Sequence, residues 1–147
     1  MEAFFNEIFD YNFHCNKKLI EHYSAINTVP TESMRLFSHI LNTHHIWNAR
    51  ILNEPVGFEV WQEHDVKDWA NIHYENQRSS FNIVTNAGNF DKHIDYENSE
   101  GRQFANSLKD ILFHIINHAT NCRGQINVDA RSNDETSICL DYIYYKR

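Results

Sequence analysis

His114, His118 and Cys122 follow one another at four-residue steps in the stretch DILFHIINHATNCRGQIN, residues 110–127. In a helix that spacing stacks the three on one side, and such donors make half of a divalent-metal site. At about 100° per residue, Leu108, Leu112, Ile115, Ala119 and Ile126 cluster in one arc, with Cys122 within about 40° of its centre and His118 about 80° away. His114 lies farther round, roughly 120° from the centre. The stretch thus offers one inward thiol, one imidazole at the edge of the core and one imidazole nearer solvent. Another element must supply the remaining ligand.

That element is expected N-terminal to it. After the break Thr28-Val29-Pro30-Thr31-Glu32, Thr31 is placed to cap a helix running from Glu32 to about Leu52. Its apolar stripe is Leu36, Phe37, Ile40, Trp47 and Ile51. His44 projects near the centre of that stripe, His39 about 100° off it beside Thr43, Ile46 and Arg50, and His45 away from it. Periodicity alone therefore favours His44 as the buried histidine, a hydrogen-bonded core residue that could also join a metal site.

The rest of the chain supplies the frame. Phe5, Ile8, Phe9, Asn12, Phe13, Leu19 and Tyr23 recur at three and four residues between Glu2 and Ile26, with no Pro or Gly, and predict a long amphipathic helix. Asn53-Glu54-Pro55-Val56-Gly57 ends the second helix, and the segment through Trp61 and His64 reads as an ordered loop with aromatic anchors. A third, more polar helix is expected from Val66 or Lys67 to about Thr85. Phe90, Lys92, Ile94 and Tyr96 alternate as a short strand, and Asn98-Ser99-Glu100-Gly101 turns it into a hairpin. Asn106 or Ser107 then caps the last long helix. Gly124 costs that helix about 1 kcal/mol against Ala, which points to a close backbone approach there. The aromatic tail SICLDYIYYKR is expected to pack back on the bundle. The fold class is all-α, a four-helix bundle with a small β-hairpin before the last long helix, and residues 1–147 read as a single domain.

Composition narrows the function. Thirteen basic against 20 acidic residues give a formal charge of −7, and the average field repels phosphate backbones and anionic lipid. Nucleic acid and membrane are therefore not expected as partners. Three widely spaced cysteines form neither a CxxC pair nor a disulfide framework. The N-terminal MEAFFNEIFDYNFHCNKK is acidic where a secretory signal is basic. A cytoplasmic location is the expectation. Ten histidines fit metal binding, proton buffering or neither.

Three places in the sequence resemble the DinB family, the DinB/YfiT-like metalloenzyme superfamily. LFSHILNTHHIWNARI resembles that family's histidine followed eight residues later by tryptophan, here His39 and Trp47. HIINHATNCRGQI resembles its HxxxHxxxHRGQ signature at His114, His118, Cys122, Arg123, Gly124 and Gln125. LDYIYYKR is similar to its closing segment. The resemblance covers nearly the whole chain and implies a four-helix bundle, often paired as a homodimer. It also implies a divalent metal held by one histidine of the second helix and two ligands of the fourth, here His39, His118 and the residue at 122. It thus moves the expected ligand from His44 to His39. Cys122 stands where the family has histidine. A thiolate suits zinc better than nickel, so the exchange could shift metal preference towards zinc, with nickel the alternative, or mark a chain that has lost the metal.

Around this set, His114 could replace Cys122 as a ligand, and Gln125 or Asp129 could orient a ligating imidazole. Arg123 could pin an anionic substrate or pair with a partner helix. Trp61, Trp69 and the tail tyrosines could close a pocket or a dimer face. Two functions stay open. One is a metal-dependent enzyme, a thiol transferase or hydrolase acting on a small molecule such as a low-molecular-weight thiol in a pocket between the second and fourth helices. The other is a non-catalytic, dimeric stress-associated or binding protein with a degenerate, metal-free site.

Overall fold

The computed structural model describes residues 1–147. Four long helices are formed: α1 (Glu2–Ala25), α2 (Thr31–Leu52), α3 (Val66–Thr85) and α4 (Leu108–Ser132). The antiparallel hairpin β1 (His93–Glu97) and β2 (Gln103–Ser107) precedes α4, and one helical turn, α5 (Tyr142–Tyr145), closes the tail. No helix is long and apolar enough to cross a membrane.

Local chemistry sets most boundaries. Asp65 caps α3 by accepting from the Lys67 amide, and Ser107 caps α4 by accepting from the Asp110 amide, each satisfying a donor the helix leaves free. Asn53 ends α2 in the left-handed conformation at φ 55°, a role asparagine tolerates. The expected Thr31 cap is corrected: Thr31 is already helical, Pro30 precedes it, and no side chain of the N-cap residue bonds to the helix. The Asp129 carboxylate of α4 accepts instead from the Ser33 amide at 3.0 Å and the Ser33 hydroxyl at 2.6 Å. That contact satisfies one of the free α2 amides, places negative charge at the helix start and fastens the two metal-candidate helices together.

α2 packs along α4, and α1 along α3. The interior has two apolar clusters. Leu19, Tyr23, Phe37, Ile40, Trp69 and Ile126 belong to one, and Phe5, Phe9, Val84, Leu108, Leu112 and Ile115 to the other. Along α1 and α3 the helices between these clusters carry buried polar residues, among them Asn12, Asn16, His73, Asn76, Gln77 and Ser80. Buried polar groups are mostly hydrogen-bonded, and each of these residues makes a bond to another helix, although Asn12 Nδ2, Asn16 Nδ2, His73 Nδ1 and Gln77 Oε1 have no partner. Ser80 Oγ donates to Asn48 Oδ1 at 3.0 Å and therefore accepts from His44 Nε2–H at 2.7 Å, while Asn76 Nδ2 donates to the Leu41 carbonyl at 2.9 Å.

The tail returns to the bundle as expected. Tyr11 Oη donates to the Leu140 carbonyl at 2.6 Å, Asn127 exchanges two bonds with Ile138, and Glu7 accepts from Tyr142 and Lys146. The expectation for Gly124 is not met within the chain: Gly124 is exposed, and a Cβ there would meet nothing within 4 Å.

Burial pushes His44 down to about 3 and His73 to about 4. An unfolded histidine titrates near about 6.5, so below that pH the unfolded chain binds protons that the folded chain refuses. Stability contributed by these residues is complete above about pH 6.5 and is lost as pH falls towards the folded values, by up to about 1.4 kcal/mol per pH unit for each histidine. Urea unfolding of metal-free protein is expected to show a lower midpoint at pH 5 than at pH 7, with a shallower dependence in His73→Gln. A midpoint that does not move over this range contradicts the assignment.

Candidate metal centre

The antiparallel packing of α2 on α4 brings together residues 79 positions apart. His39 Nε2 lies 3.1 Å from His118 Nε2, and Cys122 Sγ lies 3.8 Å from the same His118 nitrogen. One donor atom from each of the three residues falls within 4.8 Å of the others. His118 and Cys122 share a face because they are four residues apart on α4. His39 meets them because it sits at the edge of the α2 stripe, where two packed helices expose side chains to each other.

The protons are arranged to suit a cation. The Val60 carbonyl, 2.9 Å from His39 Nδ1, accepts the one proton of a neutral His39 ring, which leaves Nε2 bare and facing His118. Burial lowers the pKa of His39. It lowers that of His118 to about 4, with His39 and His114 adding to the effect, so both rings are neutral at pH 7. Burial raises the Cys122 thiol, against the pull of Arg123 and Arg35, so without a cation the sulfur is protonated. A metal would have to displace that proton.

The donors fit a tetrahedral ion of zinc size. Zinc bonds of about 2.0–2.1 Å to nitrogen and about 2.3 Å to sulfur imply separations of about 3.3 Å between two nitrogens and about 3.6 Å between nitrogen and sulfur. The 3.1 and 3.8 Å around His118 lie close to both, whereas the widest separation in the set, 4.8 Å, is larger, so an ion would draw the donors together. Two imidazoles and a thiolate are also donors that zinc accepts readily.

The surroundings of the triad bear out the buried, hydrogen-bonded core role expected of His44 and place the other candidates around it. His44 lies 2% exposed in the interior, bonded to Ser80 and stacked on Phe9, and is not among the three residues that converge. His114 is exposed, its ring 5.7 Å from that of His118 and 5.3 Å from the Trp47 ring, so it borders the triad without entering it. Gln125 is exposed, and Asp129 is committed to Ser33, so the group that orients a ligating ring is the Val60 carbonyl. Arg123 is buried, donating to Asn12 Oδ1, Asn16 Oδ1 and Thr120 Oγ1. It joins α4 to α1 through neutral oxygens and meets no carboxylate.

Trp61, expected to close a pocket, stacks flat on His39 with centroids 3.7 Å apart and planes 11° apart, and the Arg35 guanidinium lies 4.3 Å from the same indole. A cavity of about 220 Å³ is lined by Trp47, Tyr96, Asn106, Asp110, Ile111 and His114 and by none of the triad; His114, whose ring is 5.7 Å from that of His118, is its wall nearest the triad. A larger one of about 490 Å³ between α2 and α3 shares no residue with it. Val60 carries no sequence signal, because its functional atom is a backbone oxygen. Asn42, three residues after His39, offers a weak one in its spacing.

Metal sites in helical bundles are built from side chains on facing helices, and His39, His118 and Cys122 are a possible set of this kind. The DinB family model matches residues 10–147, nearly the whole chain, and the chain belongs to the DinB family. No curated protein matches the sequence.

Loss of groups that merely orient a ligand costs about 10–100-fold in affinity, so loss of a ligand costs more. His118→Ala is expected to weaken zinc binding by more than about 100-fold in calorimetric titration while the helical fold persists. Cys122→His is expected to raise affinity for nickel relative to zinc. Unchanged binding in the first variant, or unchanged preference in the second, excludes that residue as a ligand.

Proposed function

We propose that the chain is a divalent-metal-dependent enzyme, a thiol transferase or hydrolase acting on a small molecule, in which His39, His118 and Cys122 hold the ion. The observation that carries this reading is the convergence of three donor atoms from two helices within 4.8 Å. Zinc is the favoured ion because one donor is a thiolate. A divalent ion held by three protein donors supplies Lewis-acid polarisation at its remaining position. The protein's own groups do the rest. His39 and His118, as neutral rings, and Cys122, as a thiolate once its proton has passed to solvent, would hold the ion. Trp47 and Tyr96 offer an aromatic wall to the organic part of a substrate in the cavity of about 220 Å³. His114 lines that cavity and is held neutral at pH 7 by desolvation, so it is the imidazole placed to accept a proton from a substrate thiol.

In this reading residues 1–147 act as one domain in a reducing, cytoplasmic setting, consistent with three free cysteines. The domain works as a homodimer. Phe113 and Val128 are each more than half exposed on α4, and Gly124 lies on the same face with open space above it, as a partner's close approach requires. A second reading rests on Cys122, which is 3% exposed within an apolar cluster: there the cysteine is a packing residue and the chain a metal-free binding protein.

Zinc-loaded protein incubated with a low-molecular-weight thiol and a small electrophile, or with a small hydrolysable amide or ester, is expected to accelerate one of these reactions. The acceleration should vanish in His118→Ala and fall by about 10²-fold or more in His114→Ala. The same sample should sediment at twice the chain mass. Zinc-loaded protein that accelerates neither reaction favours the binding-protein reading, and a monomer at micromolar concentration removes the dimer from it.

A further inference from the structure

The Val60–His64 part of the loop between α2 and α3 is held down by three side chains of α2. Ser38 Oγ accepts from the His64 amide at 3.1 Å. His39 Nδ1 donates to the Val60 carbonyl at 2.9 Å. Asn42 does more than either: its Nδ2 donates to the Val60 carbonyl at 3.3 Å and to the Gln62 carbonyl at 2.7 Å, while its Oδ1 accepts from His64 Nε2 at 2.6 Å. Asn42 is fully buried, and bonds made without competing water are the costly ones to lose.

The Val60 carbonyl is therefore a shared point. It receives His39 from one side and is held in place by Asn42 from the other. Trp61 follows it in the chain, and its indole lies against the His39 ring at 3.7 Å. A fixed carbonyl keeps the proton on Nδ1, and a flat indole against the ring opposes its rotation. Both effects aim Nε2 at His118.

We propose that Asn42 is a positioning residue for the metal centre, latching the Val60–His64 segment so that the Val60 carbonyl and Trp61 together hold His39 with a bare Nε2 facing His118. This rests on the metal reading above and adds to it an element outside the ligand set. Without the latch the carbonyl is free to turn, His39 exchanges between tautomers, and part of the population presents N–H where a lone pair is needed. Trp61 moves with the same segment, so its emission reports the state of the latch.

The test uses the full chain under reducing conditions, with zinc titrated against a chromophoric chelator and, separately, ¹⁵N imidazole resonances recorded on metal-free protein. Wild type is expected to bind zinc with a change in tryptophan emission that Trp61→Phe abolishes, and to show His39 as the Nδ1–H tautomer. Asn42→Ala should weaken zinc binding by about 10–100-fold, mix the His39 tautomers and reduce the emission change, with helicity and cooperative unfolding retained. Asn42→Asp keeps the acceptor for His64 but loses both donors, and should behave as Asn42→Ala does. If wild type binds zinc and both Asn42 variants bind it equally well with His39 unchanged, the positioning role is overturned and the metal reading stands. Absence of zinc binding by wild type overturns the metal reading itself.

Discussion

Two imidazole nitrogens held 3.1 Å apart in a partly dry interface are the constraint on which the candidate site depends. Each ring resists protonation there, because burial opposes charge and a second cation beside the first opposes it further. With the His39 proton committed to a backbone carbonyl, at most one proton can lie between the two Nε2 atoms. Two states are then available: a hydrogen bond donated by His118, or two lone pairs directed at a common cation. In the proposed reading Cys122 favours the second, its sulfur lying 3.8 Å from His118 Nε2, close to the separation of two ligands of one ion.

The bundle brings this about by tying α2 to α4 and leaving their facing edges polar. Asp129 bonds to the start of α2, and the apolar residues Phe37, Ile40, Ala119 and Ile126 pack within one cluster. The triad sits at the rim of that cluster, with Cys122 as its apolar-facing member. Elsewhere the interior is unusually polar. Arg123 contributes a buried guanidinium whose partners are all neutral, and desolvation lowers its pKa. Uncompensated burial of a cation is expensive, and the cost is offset only by several directed bonds. The arginine beside Cys122 thus fixes α4 against α1.

The long helices are legible in the sequence because their apolar residues recur at three and four positions and because Pro30, Asn53 and Ser107 punctuate them. The choice between His39 and His44 is not legible from periodicity. A hydrophobic stripe locates the centre of the core, and His44 lies there as a satisfied core residue, whereas a metal ligand must lie at the edge where two helices meet. Only the resemblance of the His39–Trp47 and CRGQ segments to the DinB family directs attention to His39. The Val60 carbonyl and the Asp129 contact are invisible for a different reason: both join residues that only the fold brings together, one of them through a backbone atom. Gly124 is misread because a helical glycine signals missing bulk without saying whose surface fills the space.

The most direct test of the account is the metal content of protein purified without an affinity tag or chelator, since ten histidines recruit nickel from a metal column. The account predicts about one zinc ion per chain, lost in His39→Ala. Protein that stays metal-free after incubation with zinc under reducing conditions would contradict it, and would make Cys122 a core residue of a bundle whose metal centre has been lost.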